Sequence, residues 1–85
     1  MFFVYILRSE KDKKLYTGYT NDLRTRLKEH NLGLTKSTKL RKPFHLVYYE
    51  AYASKQDAKN REENLKLRAK ALKQLKNRLR VSLKA

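Results

Sequence analysis

Three stretches of the chain concentrate β-branched and aromatic residues and are bounded by polar residues. They cover residues 3–9, 14–19 and 45–52, and this composition favours the pleated, half-buried surface of a strand. The polar run at residues 10–13 predicts a turn, so the first two strands should form a hairpin. Pro43 cannot donate to a strand ladder, which places it just outside the third strand.

A first helix is predicted between the second and third strands. Leu23 and Leu27 are four residues apart and fall on one face of that helix. Thr20 or Asn21 is suited to cap its N-terminus, and Gly33 is suited to end it.

A second helical segment follows the third strand. It begins at Ser54, and with Asp57 this start resembles a capping box that has aspartate in place of glutamate. Apolar positions then recur with helical spacing, and one long helix or two helices broken near Arg68 fit them equally well. These positions are Ala58, Leu65, Ala69, Leu72, Leu75 and Leu79.

The order of elements is therefore β-β-α-β-α(-α), which predicts an α+β fold with a three-stranded antiparallel sheet and flanking helices. A chain of 85 residues supports one hydrophobic core, so residues 1–85 are predicted to form a single domain. The chain has no cysteine, which excludes disulfides and thiolate zinc sites and fits a cytoplasmic location. The apolar start of the chain has no basic leader, and Arg8 interrupts it, so it does not predict a signal peptide.

Positive charge changes this picture most, because the formal net charge is +14. Such an excess attracts polyanions, and nucleic acid is the expected partner. A membrane surface is the competing partner, but the chain after Tyr52 lacks the aromatic anchors that interfacial helices use. The aperiodic stretch at residues 34–43 predicts an exposed basic loop, and residues 64–83 predict a basic helix without acidic residues. The lysines and arginine expected to bind nucleic acid there are Lys36, Lys39, Arg41, Lys42, Lys70, Lys73 and Lys76.

Two short tyrosine motifs carry a resemblance to a known family. Residues 3–5 read Phe-Val-Tyr and residues 16–18 read Tyr-Thr-Gly, and Arg26, His30 and Glu62 follow in that order. This order and spacing resemble the GIY-YIG nuclease superfamily, in particular its small stand-alone bacterial members. Phenylalanine and threonine replace the usual glycine and isoleucine or valine of the two motifs, but both suit a strand.

The resemblance implies a metal ligand. Glu62 matches the family's metal-binding glutamate better than Glu63 does. A hard divalent cation such as Mg²⁺ or Mn²⁺ takes oxygen ligands and often uses only one or two protein carboxylates. It would neutralise charge on the phosphoryl oxygens and help the departing alkoxide.

The resemblance also implies roles for the other motif residues. Arg26 would hold the scissile phosphate, since its planar guanidinium suits phosphate and stays charged. Tyr5 and Tyr16 would orient or deprotonate the attacking water, with Tyr5 as the favoured base, provided that its pKa is lowered from about 10. His30 is a second acid or base candidate, and Gly18 would allow the backbone to approach the phosphate.

These implications predict a metal-dependent endonuclease that hydrolyses phosphodiester bonds, structure-selective or non-specific, on DNA more than RNA. Larger superfamily members, such as the nuclease subunit of nucleotide excision repair, select the cleavage site with attached domains. Selectivity here would instead come from the basic surfaces, the shape of the nucleic acid or a partner protein. The alternative is a non-catalytic DNA- or RNA-binding module on the same fold.

Overall fold

The computed structural model describes residues 1–84. Its elements follow the predicted order, with two helices at the end rather than one. The strands are β1 (Phe2–Ser9), β2 (Leu15–Thr20) and β3 (Phe44–Tyr52); the helices are α1 (Leu23–Asn31), α2 (Lys55–Leu67) and α3 (Ala69–Arg78), and a single 3₁₀ turn covers Ser82–Lys84. The α+β fold predicted from the sequence is confirmed.

The three strands form one antiparallel sheet in the order β2-β1-β3, so β1 is the central strand. Tyr5 pairs with Gly18 on one side and with Tyr49 on the other. Because successive side chains of a strand point to opposite faces, the central strand divides the interior into two layers. Tyr5 and Leu7 face α1, while Val4 and Ile6 face α2 and α3.

The layer under α2 and α3 is the larger apolar core. It contains Val4, Ile6, Ala58, Leu65, Leu75 and Leu79, and complete burial of such side chains contributes about 1.5–3 kcal/mol each. The layer under α1 is smaller and is built on Tyr5, Leu7 and Phe44. The second layer also contains two fully buried polar side chains, those of His30 and Thr38.

Helix α1 differs at its start from the prediction. Its N-cap is Asp22, whose carboxylate accepts a hydrogen bond from the backbone N–H of Thr25 at 3.1 Å, so Thr20 and Asn21 are not the cap. Thr20 instead accepts a hydrogen bond from the backbone N–H of Asp22 and shapes the turn before it. The predicted stop at Gly33 is confirmed, since Gly33 has a φ of 76° directly after the helix.

The second helical segment is broken at Arg68. Ser54 caps α2, accepting from the backbone N–H of Asp57 at 3.3 Å as the capping box predicts. Arg68 has an extended backbone (φ −118°, ψ 100°) and serves as the C-cap of α2 and the N-cap of α3. The basic helix is therefore α3, shorter than the predicted residues 64–83, because residues 64–67 belong to α2, Arg68 is extended and α3 ends at Arg78.

A polar cluster fastens α2 to β3 on the larger core side. The carboxylate of Glu50 accepts hydrogen bonds from the hydroxyls of Tyr48 at 2.6 Å and Tyr52 at 2.5 Å. Arg61 on α2 donates from Nε to Oε1 at 2.9 Å and from a terminal nitrogen to Oε2 at 3.0 Å. This charged group is thus matched by donors on a strand and on the helix that covers it.

Among residues 1–84, no helix combines the length and apolar character needed to cross a lipid bilayer.

Candidate active site

Tyr5 lies at the centre of the face covered by α1, and only 1% of its surface is exposed. Its ring crosses over Gly18 on the neighbouring strand: a Cβ placed on Gly18 would lie 2.3 Å from both Cζ and the hydroxyl oxygen of Tyr5. Gly18 therefore makes room for the tyrosine ring. The sequence-based expectation that the missing side chain admits a phosphate is wrong, because Tyr5 fills that space.

The Tyr5 hydroxyl begins a short chain of buried hydrogen bonds. Its oxygen lies 2.9 Å from Nε2 of His30. The other ring nitrogen of His30, Nδ1, lies 2.8 Å from Oγ1 of Thr38. His30 and Thr38 are both fully buried, so solvent does not compete for these contacts.

Aromatic rings enclose the imidazole on its remaining sides. The ring centroids of Tyr16 and Phe44 lie 5.1 Å and 5.9 Å from that of His30, both in edge-to-face geometry. The Tyr5 and Tyr16 rings lie 6.5 Å apart. Both predicted tyrosines therefore meet the predicted histidine in one cluster, as the motif spacing implied.

Arg26 lies one helical turn before His30 on α1. Its guanidinium donates to Oε1 of Glu29 at 3.1 Å, and its positive charge acts on the Tyr5 hydroxyl, where it favours a lower pKa. About a third of the Arg26 side chain is exposed (32%). One end of the guanidinium is therefore held by the protein while the side chain remains reachable from solvent.

The pKa values of the pair favour two neutral groups. Burial raises the pKa of Tyr5 to about 12, although the positive charge of Arg26 opposes this shift. Burial, and secondarily the charge of Arg26, lowers the pKa of His30 from its ordinary value. At neutral pH Tyr5 is a phenol and His30 an uncharged imidazole, so the protein alone does not lower the pKa of Tyr5 as the sequence-based hypothesis required.

Glu62 approaches this cluster from α2. Its charge is among the influences that raise the pKa of Tyr5. Its Oε2 lies 3.1 Å from Nζ of Lys66, and that ammonium group lies 6.0 Å from the centroid of the Tyr16 ring. The Glu62 side chain is partly buried (24% exposed), whereas Glu63 beside it is exposed. The contacts therefore favour Glu62 over Glu63 as the residue near the cluster, and the motif favours the same residue.

The donor set suits a cation that keeps most of its own water. Within residues 1–84, no group of three or more His, Cys, Asp or Glu side chains is placed to hold a metal ion. The carboxylate of Glu62, within electrostatic range of the Tyr5 phenol, matches the preference of Mg²⁺ for one or two protein carboxylates, with water and phosphate completing its shell. Glu62 is therefore compatible with the metal that the sequence motif implies.

The predicted nucleic-acid-binding residues fall into two groups. The six lysines are exposed, in the loop between α1 and β3 or on α3. Arg41 is less exposed than the sequence predicted. Its Nε donates to Asp12 at 2.6 Å, and a terminal nitrogen donates to the carbonyl of Leu15 at 3.3 Å. These contacts give Arg41 a structural role in fastening the loop to the β1-β2 hairpin.

Two neighbours of the site were missed at the level of sequence. Thr38 lies in a loop without periodicity, so nothing in the local pattern indicated that its hydroxyl meets His30. Lys66 lies within the predicted basic helix of residues 64–83 but was given no role there. Its spacing of four residues from Glu62 does predict an ion pair on one helix face, and that signal could have found it.

Comparison with known proteins agrees with this geometry. A family model described as the GIY-YIG catalytic domain matches residues 1–78. The UPF0213 protein of Staphylococcus aureus (strain Mu3) is 46% identical over 79 residues, a match that covers 89% of this chain and 95% of that relative. The solution NMR structure of the UPF0213 protein BH0048 from Bacillus halodurans is 37% identical, with a TM-score of 0.56 over 93% of this chain and 87% of the other.

Proposed function

Because the chain belongs to the GIY-YIG catalytic domain family, a nuclease superfamily, we propose that it is a divalent-metal-dependent endonuclease that hydrolyses phosphodiester bonds. The observation that carries this proposal is the cluster formed by Tyr5, Tyr16 and His30, with Arg26 and Glu62 within electrostatic range of the Tyr5 hydroxyl. Residues far apart in sequence meet here as phosphodiester hydrolysis requires.

Tyr5 and His30 act together on the attacking water. With a pKa of about 12, Tyr5 is protonated at neutral pH and cannot by itself be an efficient base. Its oxygen takes a proton from water as its own proton passes to Nε2 of the neutral His30. The water oxygen bonds to phosphorus, the bond to the leaving oxygen breaks, and that oxygen takes a proton from solvent. His30 later returns its extra proton to solvent.

Arg26 binds the phosphate at the same time. Its guanidinium supplies several donors, of which Glu29 engages one and the rest can contact phosphoryl oxygens. A fixed positive charge where negative charge develops is typically among the largest contributions to catalysis.

Glu62 is the residue that would hold the metal, through its carboxylate. Mg²⁺ or Mn²⁺ would supply charge neutralisation at the phosphoryl oxygens and at the leaving oxygen. Lys66 neutralises the Glu62 carboxylate when no metal is bound. This assigns the ion pair a function in the resting protein.

The proposed substrate is DNA more than RNA, bound either by its shape or without selectivity, and not by base sequence. The exposed lysines of the loop and of α3 suit phosphates, and phosphate contacts position a protein without reading sequence. A partner protein could add selectivity to this basic surface.

The deciding experiment compares Glu62→Gln with Glu63→Gln. Both remove one negative charge from neighbouring positions of α2, but only Glu62 faces the cluster. Cleavage of duplex, single-stranded, flapped and junction DNA, and of RNA, is measured with Mn²⁺ and with a chelator. We expect Glu62→Gln to abolish metal-dependent cleavage with nucleic-acid affinity unchanged, and Glu63→Gln to behave as wild type.

Equal activity in the two variants contradicts the metal-site assignment. A wild-type protein that binds nucleic acid but cleaves no member of the panel contradicts the enzyme, and favours the non-catalytic binding module.

A further inference from the structure

A loop residue completes the hydrogen-bond chain that begins at Tyr5. We infer that Thr38 is a positioning residue: it holds His30 in the tautomer with hydrogen on Nδ1, leaving Nε2 free to receive the proton of Tyr5. The effect of Thr38 on catalysis rests on the proposed function. The tautomer of His30 can be observed without any cleavage.

The Tyr5 end of the chain favours one direction. The Tyr5 oxygen lies 2.9 Å from His30 Nε2, a contact in which either atom can donate, depending on the tautomer. The nearby positive charge of Arg26 favours the arrangement in which the Tyr5 hydrogen points to Nε2.

The far end of the chain agrees with this direction. His30 donates from Nδ1 to Oγ1 of Thr38 at 2.8 Å. The Thr38 hydroxyl then donates to the backbone carbonyl of Thr35 at 3.4 Å, and a carbonyl can only accept. Because Thr38 donates onward to a pure acceptor, its oxygen accepts from Nδ1. The hydrogen of the neutral ring therefore sits on Nδ1, and Nε2 accepts from Tyr5.

Thr38 is held firmly enough to impose this arrangement. Its backbone N–H donates to the carbonyl of Thr35 at 3.1 Å, and its own carbonyl accepts from the N–H of Arg41 at 2.9 Å. Arg41 is in turn fastened to the hairpin by Asp12 and by the hydroxyl of Ser9, which donates to its carbonyl at 2.5 Å. The loop lacks a helix or strand here, yet the Thr38 hydroxyl is fully buried and fixed relative to β1.

Proton transfer from Tyr5 depends on which imidazole nitrogen of His30 carries no hydrogen. With hydrogen on Nε2, the imidazole would donate to Tyr5 and could not take its proton at that position. Loss of the Thr38 acceptor therefore weakens the base without touching the nucleic acid, the metal ligand or Arg26.

The test uses three substitutions in the same loop. Thr38→Val keeps the shape and removes the hydroxyl, while Thr38→Ser keeps the hydroxyl. Thr35→Val is the matched control, since the Thr35 hydroxyl is also buried but has no hydrogen-bond partner among residues 1–84. Long-range ¹H–¹⁵N NMR of the histidine ring reports the tautomer at neutral pH, and the rate of cleavage is followed with saturating nucleic acid.

We expect the wild-type protein, Thr38→Ser and Thr35→Val to show hydrogen on Nδ1 of His30. Thr38→Val should lose this single tautomer and cut roughly 10- to 100-fold more slowly, the range typical when the partner of a functional histidine is removed. Its affinity for nucleic acid should not change.

Hydrogen on Nε2 in the wild-type protein overturns the inference, even if Thr38→Val does not fold. Wild-type tautomer and rate in a folded Thr38→Val also overturn it, as does a Thr38→Ser variant as slow as Thr38→Val. If the tautomer shifts as expected but wild-type protein cuts nothing, the positioning role stands and the nuclease proposal fails.

Discussion

At the scale of single residues, Tyr5 is buried and is also proposed to transfer a proton, although burial makes its hydroxyl harder to ionise. Its ring is buried across Gly18, which fixes its position but raises the pKa of its hydroxyl to about 12. A buried phenol needs a hydrogen-bond partner, and His30 provides one at 2.9 Å. The contact that satisfies the buried hydroxyl also supplies a route for its proton.

Substitution of Tyr5 by phenylalanine separates these two effects. The change keeps the ring over Gly18 but leaves Nε2 of His30 buried without a donor, which typically costs about 1–3 kcal/mol. We expect the free energy of unfolding in urea to fall by that amount and cleavage to be nearly abolished. Tyr16→Phe is the matched control, with a smaller effect on unfolding because Tyr16 contacts His30 through its ring. Full cleavage by Tyr5→Phe would return Tyr5 to a packing role.

His30 predicts a pH dependence of both rate and stability. Burial, followed by the charge of Arg26, lowers its pKa in the folded state below the ordinary value of 6.5. Below about that pH the unfolded chain binds more protons than the folded protein, so the folded state loses stability as the pH falls towards the lowered pKa. Cleavage should decline through the lowered pKa, because only the neutral imidazole accepts the Tyr5 proton.

The check on His30 compares the wild-type protein with His30→Gln by urea unfolding between pH 7 and pH 5. The stability advantage of the wild-type protein should narrow as the pH falls. A constant difference over this range would show that the folded protein does not disfavour the protonated ring.

At the scale of elements, the strands and helices were predictable from local sequence. The bounds of β1 and β3 differ from prediction by one residue at one end, since runs of β-forming residues bounded by polar residues mark a strand along its length. The break at Arg68 was left open, because the apolar stripe continues through it and only tertiary packing bends the chain there. Helix α1 was predicted, but its cap at Asp22 was not, because several residues able to cap lie side by side.

The candidate site was likewise predictable only in part. Its tyrosines, arginine, histidine and glutamate were predictable from a motif, and the structure brings them together. The aperiodic loop was not predictable in detail: Arg41 is bound to Asp12, and Thr38 is buried against His30. Such contacts depend on how the loop folds back on the sheet, and no spacing in the sequence encodes that.

The contact between β3 and α2 gives a prediction at this scale. Burial opposes ionisation of Glu50, but hydrogen bonds from Arg61, Tyr48 and Tyr52 outweigh it, and the pKa of Glu50 falls below its ordinary value. Arg61→Met should remove roughly 1.5–3 kcal/mol from the free energy of unfolding at neutral pH, as expected for a hydrogen bond to a charged group. Lys55→Met, at an exposed position of the same helix, is the control.

The sign of the pH effect gives a second measurement on Arg61→Met. A carboxyl group with a lowered pKa stabilises the fold above its unfolded pKa of about 4.5, and the contribution is lost as the pH falls through the folded value. The deficit of Arg61→Met should therefore shrink in acid. A deficit that is the same at pH 7 and pH 3 would assign the effect to packing of the Arg61 stem rather than to its charge.

At the scale of the whole molecule, the chemistry and most of the exposed positive charge lie on different parts of the chain. The cluster around Tyr5 is made by β1, β2, α1 and α2, whereas Lys70, Lys73 and Lys76 lie on α3 and are exposed. The loop with Lys36, Lys39 and Lys42 carries exposed positive charge and also contacts the cluster, because Thr38 within it touches His30. Helix α3 can therefore be altered without disturbing the cluster.

Neutralising Lys70, Lys73 and Lys76 together to glutamine tests whether α3 binds phosphates. Each lost phosphate contact should flatten the logarithmic dependence of affinity on salt by roughly 0.7 to 0.9, through release of fewer counterions. Affinity should weaken by a similar factor for all base sequences, since phosphate contacts carry no sequence information. Cleavage with saturating nucleic acid should persist, because the proposed catalytic residues lie on other elements.

Binding is measured by fluorescence anisotropy at several salt concentrations, with lysine-to-arginine changes at the same three positions as the control that preserves charge. An unchanged affinity and salt slope in the glutamine variant would show that the charge on α3 serves another partner or the solubility of the chain, and that the loop alone holds the nucleic acid.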